Sequence, residues 1–412
     1  MLSVLMPHTK TSSPVSIPFL AITCACIISL LAFGPRSAMG FYQLPMLQDT
    51  GWDRTTFAMA MALQNLCWGL GQPFFGAISD RFGTWRVLAV GSVLYASGLV
   101  CMSIAPSPLW LHFGGGLLVG LGVAACSFGV ILASLARMVS ADKRSLAFGL
   151  GTAAGSAGMF LFAPISQGLI DAYGWGDSLI YVAMFMGLIP LLAIPLRGNA
   201  STSKISNQEI EQTFSEVISE AFATRGYVLL AAGFFVCGFQ VAFITAHFPA
   251  YISDIGIEAK WAVIAISLIG FFNIIGSLAS GVLGQKYSKP VLLSWIYLAR
   301  SILVALFLLL PQTVVSVVIF SIIMGILWLS TVPPTNALVA VMFGTRYLGT
   351  LGGIIFFSHQ LGSFLGVWLG GVLYDITGTY DTVWWLGVAL GIFAAIVHWP
   401  IKEAPVRRLV TE

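Results

Sequence analysis

The sequence predicts an all-α integral membrane protein whose twelve transmembrane helices form two pseudo-symmetric six-helix bundles. The chain of 412 residues is 58% hydrophobic and only 8% charged, whereas a soluble domain carries roughly 25% charged residues. Apolar stretches of about 20 residues, the length that crosses a bilayer, recur from one end to the other. A single long polar stretch, "RGNASTSKISNQEIEQTFSEVISEAFATRGY", separates six of them from the other six.

The twelve predicted spans are long apolar stretches whose ends are loose by several residues. They cover about 17–46, 53–79, 86–105, 108–136, 144–172, 178–197, 226–252, 260–284, 289–310, 313–341, 347–374 and 382–401. The first stretch is too long for the core of a signal peptide and is not followed by a small-residue cleavage site. We therefore expect it to remain in the mature protein.

The positions of lysine and arginine predict the orientation of these spans. With both termini in the cytoplasm, only Arg54 and Lys260 fall in outer loops, and Arg36 and Arg300 fall inside spans. The remaining cations lie in inner loops and tails, as the positive-inside rule requires. We expect a protein of the cytoplasmic (inner) membrane. The net charge of +3 is explained by this orientation and does not indicate a nucleic-acid partner.

The long polar stretch also predicts the domain boundaries. We expect an N-terminal bundle over 1–200, a cytoplasmic linker over 201–222 and a C-terminal bundle over 223–412. Apolar residues recur at helical spacing within the linker, which favours an amphipathic helix on the membrane surface; a disordered tether is the alternative. These apolar residues are Ile210, Phe214, Val217, Ile218 and Phe222.

The two halves carry similar loops. "GAISDRFGTWR" follows the second span and "GVLGQKYSK" follows the eighth, each with a glycine, a polar turn and cations. The first resembles the loop signature of the major facilitator superfamily, with Gly76, Asp80, Arg81, Gly83 and Arg86 in place. The resemblance implies the major facilitator fold, with a substrate site near mid-membrane between the halves, and a loop that latches helix ends during alternating access.

A narrower resemblance lies in "ADKRSLAFGLGTAAGSAGMFLFAPISQGLIDAYGW", which starts at Ala141. It is similar to the fifth-helix signature of the monocarboxylate transporters and the related oxalate–formate antiporters, with Lys143 and Arg144 at its start. In "AFGPRSAMGF", Arg36 stands where that family often has a lysine that contacts a carboxylate. The chain departs from the family on the eighth span, where Asn273 and Ser277 occupy the places of an Asp–Arg pair that serves substrate and proton handling.

Arg36 also points to an anion on physical grounds alone. A charge at the bilayer centre costs on the order of 3 kcal/mol on insertion scales, so it needs a partner. All sixteen acidic residues fall in predicted loops, tails or span ends, and none lies in the middle third of a span. We therefore expect an anionic cargo at Arg36. Arg300 lies on the ninth span, which is a scaffold position in this superfamily, and is expected to be a structural cation.

Other polar residues on predicted cavity-lining spans are candidates for substrate contact, although such side chains also commonly bond neighbouring helices. Pro333 and Pro334 must interrupt the tenth span, and irregular backbone at membrane depth is tolerated where it lines a cavity. Histidine is the only remaining titratable type suited to proton coupling; His359 and His247 are the candidates. The substrate-binding set is Arg36, Gln64, Asn65, Gln240, Asn273, Trp328, Asn336, His359 and Gln360.

The sequence indicates no enzyme, cofactor or metal site. All six cysteines fall in predicted spans, where packing is the simplest role, and no phosphate-binding loop or paired nucleophile and base is present. We expect a monomeric secondary transporter for a small organic anion, working by proton symport or anion exchange. The alternative is a broad-specificity exporter of drugs or neutral metabolites from the same superfamily.

Overall fold

The computed structural model is helical throughout the part that it describes, which comprises residues 19–127, 129–131, 134, 144–197, 214–344 and 348–406. Ten helical segments of this part are long and apolar enough to cross a membrane. One of them has 43 residues, Leu150–Leu192, and forms two spans. The helix Arg54–Phe82, 29 residues long but more polar, is a further span. The described helices therefore form twelve spans and confirm the predicted fold class.

Six spans belong to the N-terminal half. Span 1 comprises Phe19–Ser37, a 3-10 turn Met39–Tyr42 and Gln43–Thr50; span 2 is Arg54–Phe82; span 3 is Thr84–Ser103; span 4 comprises Pro108–Leu111, a π-helical segment His112–Leu118 and Val119–Ala125; and spans 5 and 6 lie in Arg144–Met186, with span 6 extended by Ile189–Leu192 and Ile194–Leu196. Spans 5 and 6 meet at Gly174, whose φ of 82° is left-handed backbone that glycine adopts readily.

The C-terminal half follows a short helix, Phe214–Ala223, in which Val217 and Ala221 are buried. Its six spans are span 7, Arg225–Asp254; span 8, Ala259–Lys286; span 9, Lys289–Leu309; span 10, made of Val314–Leu327 and Val332–Phe343; span 11, Leu348–Thr377; and span 12, Asp381–His398. Residues 201–213 of the predicted linker lie outside the described residues.

Small residues allow the spans to pack closely. A Cβ atom at Gly158 of span 5 would lie 2.4 Å from the carbonyl oxygen of Leu30 on span 1, and one at Gly362 of span 11 would lie 1.9 Å from that of Phe235 on span 7. Such close approach is typical of membrane helices, which associate through packing and hydrogen bonds. Spans 2 and 5 face spans 11 and 8 across the boundary between the halves.

The outer end of the bundle is the end with Arg54, Asp254 and Asp375, and the inner end is the end with the turn at Gly83. These names follow the orientation predicted from the sequence. Gly83 has a φ of 94° and its N–H closes span 2 by donating to the carbonyl of Ser79 at 2.9 Å.

Candidate functional site

Arg36 lies in the last turn of the first helix of span 1, about halfway along the span. Its Nη2 donates to Oδ1 of Asn65 on span 2 at 2.5 Å, and its guanidinium carbon lies 4.6 Å from the centre of the Trp68 ring. Asn65 and Trp68 are three residues apart, so they share a face of span 2. The Asn65 amide nitrogen donates to the carbonyl of Met61 at 2.8 Å. That bond orients the amide oxygen toward Arg36.

The partners of Arg36 leave hydrogen-bond donors unused. Within the described residues, the buried Nε of Arg36 and the buried indole Nε1 of Trp68 have no acceptor. Arg36 takes part in none of the ion pairs between described residues. A buried donor without an acceptor costs about 1–3 kcal/mol, and more when it is charged. The site can therefore gain free energy by accepting a group that carries negative charge and lone pairs.

A row of aromatic rings continues from Arg36 across the boundary between the halves. The Trp68 ring lies 5.6 Å from Phe33 of span 1 and 5.1 Å from Phe356 of span 11, measured between centroids. The Phe356 ring stacks on His359 at 5.8 Å and 8°, and His359 lies 4.9 Å from Phe234 of span 7. Phe33 and Phe356 are partly exposed. Four spans thus contribute one apolar surface beside the cation.

Gln360 connects span 11 to the Arg36 site. Its amide nitrogen donates to the backbone carbonyl of Asn65 at 3.0 Å, and its Oε1 lies 2.9 Å from Nδ1 of His359. Since an amide oxygen only accepts, this contact assigns the proton to Nδ1 of His359. His359 is 8% exposed. The structure therefore brings Arg36, Asn65, His359 and Gln360 together.

Arg300 is held by the break in span 10. The helix stops at Leu327 and resumes at Val332, which leaves backbone carbonyls without helical partners. Nε of Arg300 donates to the carbonyl of Leu327 at 3.1 Å, Nη2 donates to the carbonyl of Trp328, and Nη1 lies 3.5 Å from Sγ of Cys237. The side chain is 0% exposed. Arg300 is thus remote from solvent and occupied by the protein itself.

Asn273 completes the same break and joins the two halves. Its Oδ1 accepts from the backbone N–H of Leu329 at 3.0 Å and from the Ser277 hydroxyl at 3.1 Å. Its amide nitrogen donates to Oγ of Ser156 on span 5 at 2.9 Å. The amide of Asn273 therefore hydrogen-bonds to spans 5, 8 and 10, and not to Arg36.

The other predicted contacts lie apart from Arg36. Gln64 donates to the carbonyl of Gly115 at 3.0 Å and so faces span 4, while Gln240 donates to the carbonyl of Gly387 at 2.9 Å and so faces span 12. Trp328 is buried, and Asn336 is exposed nearer the inner end. Adjacent residues such as Gln64 and Asn65 point to different helix faces, so only one of the two reaches the site.

A network at the outer end ties the halves together. Nη1 and Nη2 of Arg54, at the start of span 2, donate to the two oxygens of Asp254 on span 7 at 2.6 and 2.7 Å. Nη1 also donates to the Tyr380 hydroxyl at 2.8 Å, and the guanidinium lies 3.6 Å from the Tyr374 ring centre. A bidentate pair is among the stronger polar contacts in proteins.

Asp375 adds a second contact at this end. Its carboxylate accepts from the backbone N–H of Arg54 at 3.3 Å, and from the N–H and hydroxyl of Thr55 at 2.7 and 2.5 Å. A carboxylate at a helix N-terminus satisfies free N–H groups and the helix dipole. Asp375 of the C-terminal half therefore caps span 2 of the N-terminal half, alongside the local cap Asp53.

His247 belongs to the outer-end network. It is fully buried, its Nε2 lies 2.8 Å from the carbonyl of Val367, and its Nδ1 lies 3.1 Å from the Tyr380 hydroxyl. The backbone carbonyl requires a proton on Nε2, so Nδ1 accepts. Both ring nitrogens are thus occupied by protein groups, away from Arg36.

The glycine packing between spans 2 and 11 loosens toward the inner end. A Cβ atom at Gly371, near the outer end of span 11, would lie 2.5 Å from Cβ of Ala58, and one at Gly69, in mid-span 2, would lie 2.7 Å from Cβ of Gln360. At Gly76, Gly349 and Gly353, nearer the inner end, no described residue lies within 4 Å of such an atom. The close contact between these two spans therefore gives way to open space at these three glycines.

The loop signature at the inner end is described in part. Arg86 donates to the carbonyl of Phe82 at 3.2 Å, and Arg81 is exposed. Asp80 lies in span 2 and Arg144 begins the helix of span 5, and Lys143 lies outside the described residues. The side chains of Asp80 and Arg144 also lie outside the described part, so the latch expected of this signature stays a prediction.

No sequence motif marks four residues that make the contacts described above: Trp68 beside Arg36, and Arg54, Asp254 and Asp375 at the outer end. Trp68 follows Asn65 at the three-residue spacing of one helix face, which is the signal that points to it. Arg54 is one of only two cations in the predicted outer loops. Its partners lie 200 and 321 residues further along the chain, and no local pattern reveals such pairs.

Comparison with known sequences gives consistent relatives. The family model of the Major Facilitator Superfamily matches residues 24–367. The Uncharacterized MFS-type transporter YcxA of Bacillus subtilis (strain 168) is 27% identical over 355 residues, which are 84% of this chain and 85% of that protein. Monocarboxylate transporter 13 of Rattus norvegicus is 28% identical over 316 residues, which are 75% and 71% of the two chains.

Two solved structures share the fold. The D-xylose-proton symporter superposes with a TM-score of 0.74 at 15% identity and covers 95% of this chain and 100% of its own. A bacterial homologue of the human lysosomal transporter Spinster, in an inward-facing and unoccupied conformation, gives 0.73 at 13% identity and covers 94% and 97%. Together with the family match, the twelve spans and the two facing halves identify this chain as a membrane transporter, not an enzyme, that belongs to the major facilitator superfamily.

Proposed function

We propose that this transporter moves a small organic anion of the monocarboxylate type across the cytoplasmic membrane by alternating access. The observation that carries the proposal is the half-buried Arg36, with a free Nε and the free indole N–H of Trp68 beside it and no carboxylate partner among the described residues. A carboxylate has two oxygens that accept from both donors. The relatives named as monocarboxylate transporters support the same class of cargo.

Alternating access agrees with the asymmetry of the two ends. The outer end is joined by Arg54, Asp254 and Asp375, whereas Gly76, Gly349 and Gly353 nearer the inner end have open space among the described residues. With the orientation predicted from lysine and arginine positions, this conformation is inward-facing. Asn65 binds Arg36 and also accepts from Gln360 of the other half, so cargo bound at Arg36 reaches a contact between the halves.

Uptake by the purified protein in liposomes tests the role of Arg36. The substitution Arg36→Gln keeps hydrogen-bonding capacity but removes the charge, and we expect it to abolish uptake of small carboxylates and their thermal stabilisation of the protein. Arg225→Gln is a matched control, because Arg225 is exposed at the start of span 7. Uptake by Arg36→Gln at the wild-type rate, from protein that remains monodisperse, excludes the proposed anion contact.

Movement of the anion is coupled either to protons that move with it (symport) or to a second anion that moves the other way (exchange). His359 is the titratable side chain next to Gln360 and the aromatic row, which favours it over His247 as the proton site. Symport predicts uptake driven by an inward proton gradient and lost in His359→Gln. Exchange predicts uptake that requires a carboxylate inside the liposome and is insensitive to the gradient.

One observation favours the second candidate function, an exporter of neutral or lipophilic compounds. The rings of Phe33, Trp68 and Phe356 offer an apolar surface that does not itself require a charged cargo. Thermal stabilisation by lipophilic cations or neutral drugs, with none by carboxylates, would favour this exporter over the anion carrier.

A further inference from the structure

We infer that the cargo is a monoanion with an aromatic body, whose carboxylate lies at Arg36 and whose ring lies along the aromatic row. The inference rests on the proposed function and specifies its substrate class. It follows from the number of fixed charges that the site offers and from the surface that adjoins the charge.

The described part of the membrane region offers one available cation. Arg36 is half-buried and has a free donor. Arg300 is 0% exposed, and its guanidinium donates to the carbonyls of the span 10 break. A dianion would therefore bring a second negative charge without a fixed positive partner, at a cost that membrane interiors make high. One available charge selects one carboxylate.

The surface beside that charge is made of rings from both halves. Phe33 and Trp68 come from the N-terminal half, and Phe356 comes from the C-terminal half, with centroid separations of 5.6 and 5.1 Å along the row. These separations are typical of edge-to-face aromatic pairs. A short aliphatic acid held at Arg36 lies at the Trp68 end of this row, whereas a ring attached to the carboxylate extends along the row toward Phe356.

The row continues to His359 without an intervening charged side chain. His359 stacks on Phe356 at 8° and its Nδ1 faces Gln360. Its flat face thus extends the ring surface toward Phe234. Asn273, a polar candidate from the sequence, hydrogen-bonds between spans 5, 8 and 10 instead of lying along this row. The body of the cargo therefore lies along ring surface that carries no second fixed charge.

The inference is tested by measuring how well four probes compete with the uptake of a small carboxylate into the liposomes. The probes are acetate, phenylacetate, succinate and phenylethylamine. We expect phenylacetate to compete at a concentration at least about tenfold lower than acetate, which corresponds to one or two aromatic contacts. Succinate and phenylethylamine should compete weakly, because the first has an excess charge and the second lacks the carboxylate.

The variant Phe356→Leu should reduce the preference for phenylacetate over acetate by about fivefold or more. Phe393→Leu is the matched control, since Phe393 is 46% exposed on span 12. If Phe356→Leu does not fold, Phe33→Leu replaces it. Equal competition by acetate and phenylacetate overturns the aromatic inference and leaves the anion carrier intact, as does a preference that survives both variants. Competition by phenylethylamine alone, or by no carboxylate, overturns both.

Discussion

The network at the outer end predicts that loss of one carboxylate shifts the protein toward an open outer end. Asp254 accepts two hydrogen bonds from Arg54, and the two side chains are 26% and 10% exposed. Exposed ion pairs contribute about 0–1 kcal/mol, and removing one partner of a buried pair costs about 3–5 kcal/mol. For this partly exposed pair we take about 2 kcal/mol, midway between these limits. Asp254→Asn should then raise the ratio of open to closed outer ends about 30-fold, since about 1.4 kcal/mol is a factor of ten.

Hydrogen exchange of the Thr55 amide measures this ratio. That N–H is bonded to Asp375 of the other half at 2.7 Å, so it exchanges when the outer ends part, at a rate that follows the population of the open form. The control is Glu258→Gln, which removes an ion pair with Lys260 at the same end whose side chains are 71% and 61% exposed.

A double-mutant cycle of Asp254→Asn and Arg54→Gln isolates the interaction energy of this ion pair from the other effects of each substitution. The double variant should exchange little faster than the single variants, with an interaction energy near 2 kcal/mol. Exchange at Thr55 in Asp254→Asn within twofold of the Glu258→Gln control would refute the reasoning. So would strict additivity of the two substitutions.

Two further outcomes follow from the packing. Gly371→Ala should also hold the outer ends apart, because its Cβ would lie 2.5 Å from that of Ala58. Gly353→Ala should not, because no described residue lies within 4 Å of its Cβ. The rate of hydrogen exchange at the Thr55 amide compares the two variants. Arg300→Met should lower the thermal stability of the purified protein markedly, because it leaves the carbonyls of the span 10 break unpaired at about 1–3 kcal/mol each. A melting temperature within 1 °C of wild type (roughly 1 kcal/mol or less at this chain length) would contradict the assigned role of Arg300.

The sequence predicts the helices well because their cause is local. A run of about 20 apolar residues, long enough to cross the bilayer, can be recognised in the sequence without knowing its neighbours. The turn at Gly174 likewise falls between the fifth and sixth predicted spans. Span 2 is the instructive exception, since Gln64, Asn65 and the polar residues near them lower its hydropathy, yet it forms a continuous helix. Its side chains Asn65 and Gln64 are hydrogen-bonded to spans 1 and 4, which a hydropathy window does not see.

The site is less predictable because it depends on helix rotation and on distant contacts. Arg36 follows from its charge and depth. The choice between Gln64 and Asn65 follows only from the face that span 2 turns to span 1. Asn273 is polar and buried as expected, but its partner Ser156 lies 117 residues away. The aromatic row needs the positions of four spans at once.

The cap that Asp375 supplies to span 2 has a consequence for the assembly of the protein. Thr55 and Asp375 are 320 residues apart, so the ribosome makes the helix end long before its cap. Until span 11 is in place, the first turn of span 2 must satisfy those N–H groups with water at the membrane surface. The N-terminal half thus inserts before the start of span 2 has its full set of partners, and a segment synthesised 320 residues later supplies them.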